Sequence, residues 1–328
     1  MRDGALSIKS LIDTADLTDK DVRKDVLRTV RGYVRWVAET SAGSDDPKWN
    51  MTTRKPYDDS WCKPQTDGRP LRATTMMSIM DSFPGPVPEA WALAKEDLNW
   101  ISSDPISVNG ASCDLWEEDM KEPNLLWNRV VARSALLSGA KVAQAKGDVD
   151  GQARYEDAAA KLGDPWADHH IHEERGYFTE CPTESSVCTD LPPPSDWERT
   201  TCELQLDGGM CSDRVDECQA GSPCYCATTC GYCVDQCVAR DKGIDGAVIL
   251  ALIHANSAKT EISRPDSQAV ARTIRAYNKA FCKAYPVNNL GLPGVLYGRF
   301  TKDDYGGGNP WVITTSAVAN LLYRASLE

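Results

Sequence analysis

The residues best suited to chemistry lie in Cys113-Asp114-Leu115-Trp116-Glu117-Glu118-Asp119. An indole stands between acidic side chains, and two adjacent carboxylates follow it. A carboxyl group against an apolar ring keeps its proton to higher pH and can serve as a general acid, while the ring offers a flat face to a sugar-like substrate. Such a pairing suits reactions that pass through a cation. Taken alone, the stretch reads more simply as an acidic turn leading into a helix. Its meaning depends on what the rest of the chain brings to it.

The formal charge of -12 over 328 residues speaks against a nucleic-acid or anionic-membrane partner, since both reward clustered Lys and Arg. Neutral, polyhydroxylated substrates remain open. With 41% hydrophobic and 26% charged residues the chain has the composition of a globular protein. Ten tryptophans against four phenylalanines favour flat faces with a donor at the edge, which sugar rings use and cores use as well. No stretch has membrane-spanning length; the best apolar run, 246–253, is too short.

The elements that must carry the acidic stretch are helical. The first helix is under way by Gly4. Thr18-Asp-Lys-Asp21 is a capping signal, and Val22, Val26, Val30, Val34 and Val37 then share one face. Residues 42–66 form a Pro-, Asp- and Lys-rich loop, and loops of that length inside a domain are usually functional. Asn50-Met-Thr52 within it is an N-glycosylation pattern. Helical periodicity resumes over 69–82, 87–103, 122–146, 151–161, 246–255, 266–285 and 310–326. In the 122–146 helix, Ser134, Ser138, Gly139 and Ala140 would let a neighbour approach closely.

Ten of the 13 cysteines lie between Cys181 and Cys237, with Pro192-Pro193-Pro194 among them. That density reads as a disulfide-stapled insertion over 179–240 made in an oxidising compartment. Zinc is the rival reading, from Cys230-Gly-Tyr-Cys233, but no second pair at matching spacing follows. The run also faintly resembles small six-cysteine ShK-toxin-like domains. His169-His170-x-His172 offers two histidines on one face if it is a strand; a solvated loop is the preferred reading, with no metal.

Four stretches, the acidic motif among them, line up in chain order. They are Met1-Arg2-Asp3-Gly4; Ser60-Trp61-Cys62-Lys63-Pro64-Gln65-Thr66-Asp67-Gly68 with Leu71-Arg72-Ala73; Asp114-Leu-Trp-Glu-Glu118; and Tyr297-Gly-Arg299 with Asp303-Asp-Tyr305-Gly-Gly-Gly-Asn-Pro-Trp311. Together they resemble the glucoamylases of glycoside hydrolase family 15, with Val131-x-x-Ser-Ala-Leu-x-x-Gly-Ala140 and Ile244-Asp-Gly-Ala-Val-Ile-Leu-Ala-Leu-Ile-His254 extending the likeness. The resemblance implies an all-α fold, an (α/α)6 toroid of helical hairpins. Here it would run over 1–178 and 241–328, incomplete, with 179–240 inserted. It implies Glu117 as general acid, flanked by Asp114, Leu115 and Trp116, and Glu118 as a ligand on the leaving-group side. Arg2 and Asp3 would hold the terminal glucose, Trp61 would stack on it, and Arg299 and Trp311 would complete the sugar contacts. The implied reaction releases glucose from non-reducing ends of α-1,4-glucans with inversion. It needs no cofactor, and a secreted monomer would carry it out.

The sequence also departs from the family. Cys62 and Lys63 stand where Gly-Arg is expected. The family's base lies in a late motif beyond the matched region, and the first helix and a secretory signal are missing, so the chain reads as truncated at both ends. A chain without its base is expected to be inactive, having lost a factor of about 10²–10⁴ or more. The rivals are a trehalase or α-1,6-glucosidase of the same family and a catalytically dead carbohydrate-binding protein.

Overall fold

The structure, a computed structural model, describes residues 1–57, 61–103, 112–118, 124–167, 170–172, 175–182, 243–291 and 293–327. Nearly all of the cysteine-rich insertion, His169 and Asp119 lie outside the described residues. The described residues form nine α-helices: α1 Arg2–Thr14, α2 Lys20–Trp36, α3 Gly68–Ser82, α4 Glu89–Ser103, α5 Leu126–Ala145, α6 Val149–Lys161, α7 Gly246–His254, α8 Gln268–Ala284 and α9 Val312–Ala325. No strand forms among them beyond isolated bridges. The chain divides into two units, 1–165 with 251–260, and 166–250 with 261–328.

In the first unit, α2 starts where its sequence says it should. The Asp19 carboxylate accepts from the Asp21 and Val22 N–H groups, and Val26, Val30 and Val34 are buried. Val22, one turn too early to reach the core, is 39% exposed. At the far end the helix does not stop at Trp36 but passes into a π turn, Val37–Ser41, which the periodicity did not foretell. Helix α3 is buried over most of its surface, with a narrow polar stripe of Thr74, Ser78 and Asp81 left at least partly exposed. Buried residues surround its axis, as expected of an element enclosed by others, and it packs on α1, α4 and α5. Helix α5 begins at Leu126 because Leu125 is extended. Its Gly139 meets α4: a Cβ there would lie 2.6 Å from a Leu98 methyl, the close approach expected of the small residues in this helix.

Two arginines of α3 reach back under the π turn. Arg72 makes a bidentate pair with Asp97 of α4 at 2.7 and 2.6 Å and gives a third bond to the Ser41 carbonyl at 2.8 Å. Both side chains are almost wholly buried. Arg69 bonds the Gly43 carbonyl at 2.6 Å and lies over the Trp100 ring.

In the second unit, α7 is anchored at its start. The Asp245 carboxylate accepts from the Ala247 N–H, and the Tyr277 hydroxyl of α8 bonds both the N–H and the carbonyl of Asp245. Burial pushes the Tyr277 phenol far above its ordinary pKa, so it keeps its proton for that bond. The Gly246 N–H bonds the Arg299 carbonyl at 2.6 Å, and a Cβ at Gly246 would strike Thr314 of α9 at 2.6 Å. His170 corrects the expectation of a solvated loop. The Ile171–Phe178 bridge folds the segment back on itself, so the ring is fully buried with Nδ1 3.0 Å from the Thr179 carbonyl.

The buried ion pair between α3 and α4 predicts an asymmetry. Arg72→Met alone leaves the buried Asp97 charge with only Arg69, 3.9 Å away, and is expected to lower the unfolding free energy by about 3 kcal/mol, while Arg72→Met with Asp97→Leu loses much less. Urea unfolding of both variants checks this; equal losses would refute it.

Candidate active site

One guanidinium organises the acidic stretch. Arg2, the first residue of α1, is buried, and it reaches two loops. Its Nε bonds Asp67 Oδ2 at 2.5 Å and its Nη2 bonds Asp67 Oδ1 at 3.2 Å and Gln65 Oε1 at 3.3 Å. Toward the acidic stretch, Nη1 bonds the Leu115 carbonyl at 2.7 Å and Nη2 the Asp114 carbonyl at 3.3 Å. Burial works against the charge on Arg2, but the charge and hydrogen bonds of Asp67 outweigh it and hold the pKa above its ordinary value. Asp67 is itself held by α5, through the Trp127 indole N–H at 2.7 Å. A guanidinium has five N–H donors; these contacts occupy all but one on Nη1. That nitrogen lies 3.9 Å from Glu117 Oε1.

The turn that presents Glu117 is built by Asp114. The buried Asp114 carboxylate accepts from the Trp116 N–H at 2.9 Å and the Glu118 N–H at 2.8 Å, and its N–H bonds the Glu118 carbonyl at 3.0 Å. Closing so small a loop forces Glu117 to φ +67°, a left-handed conformation that costs a side-chain-bearing residue about 1–2 kcal/mol. The side chain that results is 34% exposed. Its neighbours Asp114 and Leu115 are buried, and Trp116 and Glu118 are half-buried.

The same turn is fastened to the loop of Trp61. Cys62 and Cys113 form a disulfide with Cα atoms 6.0 Å apart, and the Cys113 N–H bonds the Pro64 carbonyl at 2.9 Å. Beneath it, Asn128 of α5 donates to Thr66 Oγ1 at 2.9 Å and Ser112 Oγ at 3.0 Å. Trp61 is half-buried, with the Lys48 ammonium 3.4 Å from its ring centre and 4.3 Å from that of Tyr57.

Of the residues singled out from sequence, Arg2, Asp3, Trp61 and Glu117 line one cavity of about 770 Å³. Asp114, Leu115, Trp116 and Glu118 form the turn beside it. Arg299 and Trp311 belong to the second unit, where Arg299 pairs with Asp303 (Nε to Oδ2, 2.8 Å) and its guanidinium carbon lies 5.2 Å from the Trp311 ring and 5.0 Å from that of Tyr305. Asn50 closes a turn in the long loop, its side-chain oxygen accepting from the Thr52 and Thr53 N–H groups at 2.9 Å. The sequence reading missed the cavity's other wall, Tyr33, Trp36, Lys48 and Trp49, and the partner of Arg2, Asp67. For Lys48 and Trp49 a signal existed, since both fall in the long loop marked as functional. It also missed the pairing of Cys62 with Cys113. No group of metal-binding side chains occurs among the described residues.

The profile of the family described as Glycosyl hydrolases family 15 matches residues 1–328. The chain is 25% identical over 351 residues to Glucoamylase-1 of Arthroderma benhamiae, covering 100% of this chain and 46% of that protein. It is 23% identical over 349 residues to Glucoamylase 1 of Rhizopus oryzae, covering 100% and 48%. The solved glucoamylase of Saccharomycopsis fibuligera superposes with a TM-score of 0.69 at 17% identity, over 98% of this chain and 62% of that one. The family 15 glucoamylase of Hypocrea jecorina gives 0.66 at 21%, over 98% and 47%. The chain thus spans about half the length of the curated relatives it matches, and the fold it shares with the solved structures is that of the (α/α)6 helical toroids.

The disulfide generates a test. It closes a sequence separation of 51 residues, for which the chain-entropy relation gives about 4 kcal/mol. The double variant Cys62→Ser/Cys113→Ser is expected to lose stability of that order in denaturant titration, and Trp61 fluorescence should become more quenchable by acrylamide. A variant as stable as its parent would show that the bond is not part of the site's framework.

Proposed function

Since the chain belongs to the family 15 glycosyl hydrolases, we propose that it hydrolyses terminal α-1,4-linked glucose from starch-like chains, with Glu117 as the general acid. The observation that carries this reading is the common cavity of Arg2, Asp3, Trp61 and Glu117. Glu117 stands on a turn held by the Asp114 carboxylate, with Arg2 Nη1 3.9 Å from its own carboxyl group, and fixed placement of this kind favours proton transfer to a bridging oxygen.

Each neighbour has a role that its contacts support. Arg2 keeps one N–H for a sugar hydroxyl while its other donors fix the floor of the site. Asp3, in the first turn of α1, supplies acceptors to adjacent hydroxyls. Trp61 offers the ring face on which a pyranose stacks. Leu115, through its carbonyl, and Asp114 and Trp116, through the turn, set where Glu117 points, and Glu118 reaches the leaving-group sugar. For Arg299 and Trp311 the sugar-binding role rests on the resemblance of their sequence motif alone. Inversion needs a second carboxylate about 6.5–9.5 Å from the acid to activate water on the sugar's other face; we assign that base to no residue among the 328. The substrate is a neutral glucan, with no cofactor, and we propose a monomer. The Cys62–Cys113 disulfide and the oxidised Cys181 support secretion through an oxidising compartment. No helix among the described residues is long and apolar enough to cross a membrane. Asn50 is the proposed glycosylation site.

A leaving group that needs no proton separates the acid's role from mere structure. In a protein that also carries the base, Glu117→Gln is expected to slow maltose hydrolysis by about 10²–10⁴ while leaving α-glucosyl fluoride hydrolysis much less affected. Release of glucose from both substrates is the readout. Equal losses on both would remove Glu117 as the acid.

A further inference from the structure

Helix α8 carries a segregation of charge that the roles above do not use. Its 17 residues hold four cations, Arg272, Arg275, Lys279 and Lys283, and no carboxylate. Spacings of three, four and four residues place all four on one helical face, opposite the buried Val270, Tyr277 and Phe281. Each of the four is exposed. None has a carboxylate partner among the described residues.

Other cations near the surface are treated differently. Lys9 is bridged by Asp13, Lys161 by Asp157 and Arg54 by Glu39. On α2, which also has a basic face, Asp21 and Asp25 stand among the cations, and Arg28 pairs with Asp25 at 3.2 Å. On α8 the next charge along the face is always another cation, an arrangement that weakens a helix rather than supporting it. Its first turn holds no acid to offset this. In a chain of formal charge -12, a face kept basic against its own repulsion is complementary to a polyanion.

The face also limits what that polyanion can be. The net negative charge repels partners that spread charge over a wide area, as a duplex or a bilayer does, so the attraction has to be local. The apolar side of α8 is buried, Tyr277 and Phe281 with it. The helix therefore offers neither an apolar face to lay into a membrane nor rings on which bases could stack. What remains is a single row of cations, about one per turn and about 16 Å from first to last. A single strand of charged sugar rings presents its anionic groups in such a row. We propose that the outward face of α8 binds an acidic polysaccharide, with one anionic group on each sugar, through Arg272, Arg275, Lys279 and Lys283. None of the four lines the Glu117 cavity, and the binding involves no hydrolysis, so the proposal stands whether or not Glu117 is an acid.

Fluorescence anisotropy of labelled polygalacturonate, titrated with the full chain at low and at physiological salt, tests it. The variant Arg272→Gln/Arg275→Gln/Lys279→Gln/Lys283→Gln is expected to weaken binding by about tenfold or more at low salt and to flatten its salt dependence. The variant Lys20→Gln/Lys24→Gln/Arg31→Gln/Arg35→Gln, on the exposed face of α2, makes the same change in net charge and is expected to leave binding nearly unaltered. In the parent chain, polygalacturonate is expected to protect Lys279 and Lys283 from acetylation more than Lys20 and Lys24, a mass-spectrometric comparison that depends on no variant. A parent chain that does not bind polygalacturonate at low salt, equal losses in the two variants, or unprotected Lys279 and Lys283 overturns the proposal. So does tighter binding to polyglutamate, duplex DNA or phosphatidylserine vesicles than to polygalacturonate.

Discussion

The contact between Arg2 and Asp67 is the constraint on which the site depends. A buried guanidinium is tolerable only when its donors are met, and here they are met by two separate pieces of chain: the Gln65–Asp67 segment before α3, and the acidic turn through the carbonyls of Asp114 and Leu115 and, at longer range, Glu117. Satisfying one charge therefore assembles the start of α1, the entry to α3 and the acidic turn into a single arrangement. Asp67 could not hold this position alone. Trp127 from α5 takes the same carboxylate oxygen, so the helix that forms the core behind the site also fixes its polar floor.

Around that hub the chain accepts local strain in one place and removes freedom in others. Glu117 sits at a backbone angle that a side chain resists, and Asp114 compensates with two hydrogen bonds into the same turn. The disulfide ties loop to loop, the Ser112–Thr66–Asn128 contacts tie loops to α5, and Arg72 ties α3 both to α4 and to the π turn. The scaffold is thus rigid where the loops meet it, which is where a proton donor gains most from fixed placement.

Much of this was legible in the sequence, for identifiable reasons. The helices announced themselves through local signals: the Asp19 cap, the valine stripe of α2 and the small residues of α5 act over a few positions, and helices answer to such short-range rules. Asp114 to Glu118 was recognisable because its residue types are unusual together. What escaped was long-range. Arg2 and Leu115 are 113 positions apart and Cys62 and Cys113 are 51 apart, and nothing in either neighbourhood names its partner. The π turn escaped for another reason: the valine periodicity runs straight through Val37, and the contact that holds the turn comes from Arg72 of another helix, which donates to the Ser41 carbonyl. His170 was misjudged because burial of a polar ring depends on a carbonyl nine residues away.

The ammonium of Lys48 resting on the indole of Trp61 has a consequence for how that face is used. A cation over an aromatic ring is worth about 0.5–2 kcal/mol, and a sugar stacked there as proposed would need the same surface. Occupancy is therefore an exchange, in which the tenant already in place must step aside. A weakly stacking visitor would not dislodge it, so with Trp61 as the proposed platform the lysine would set a threshold on affinity.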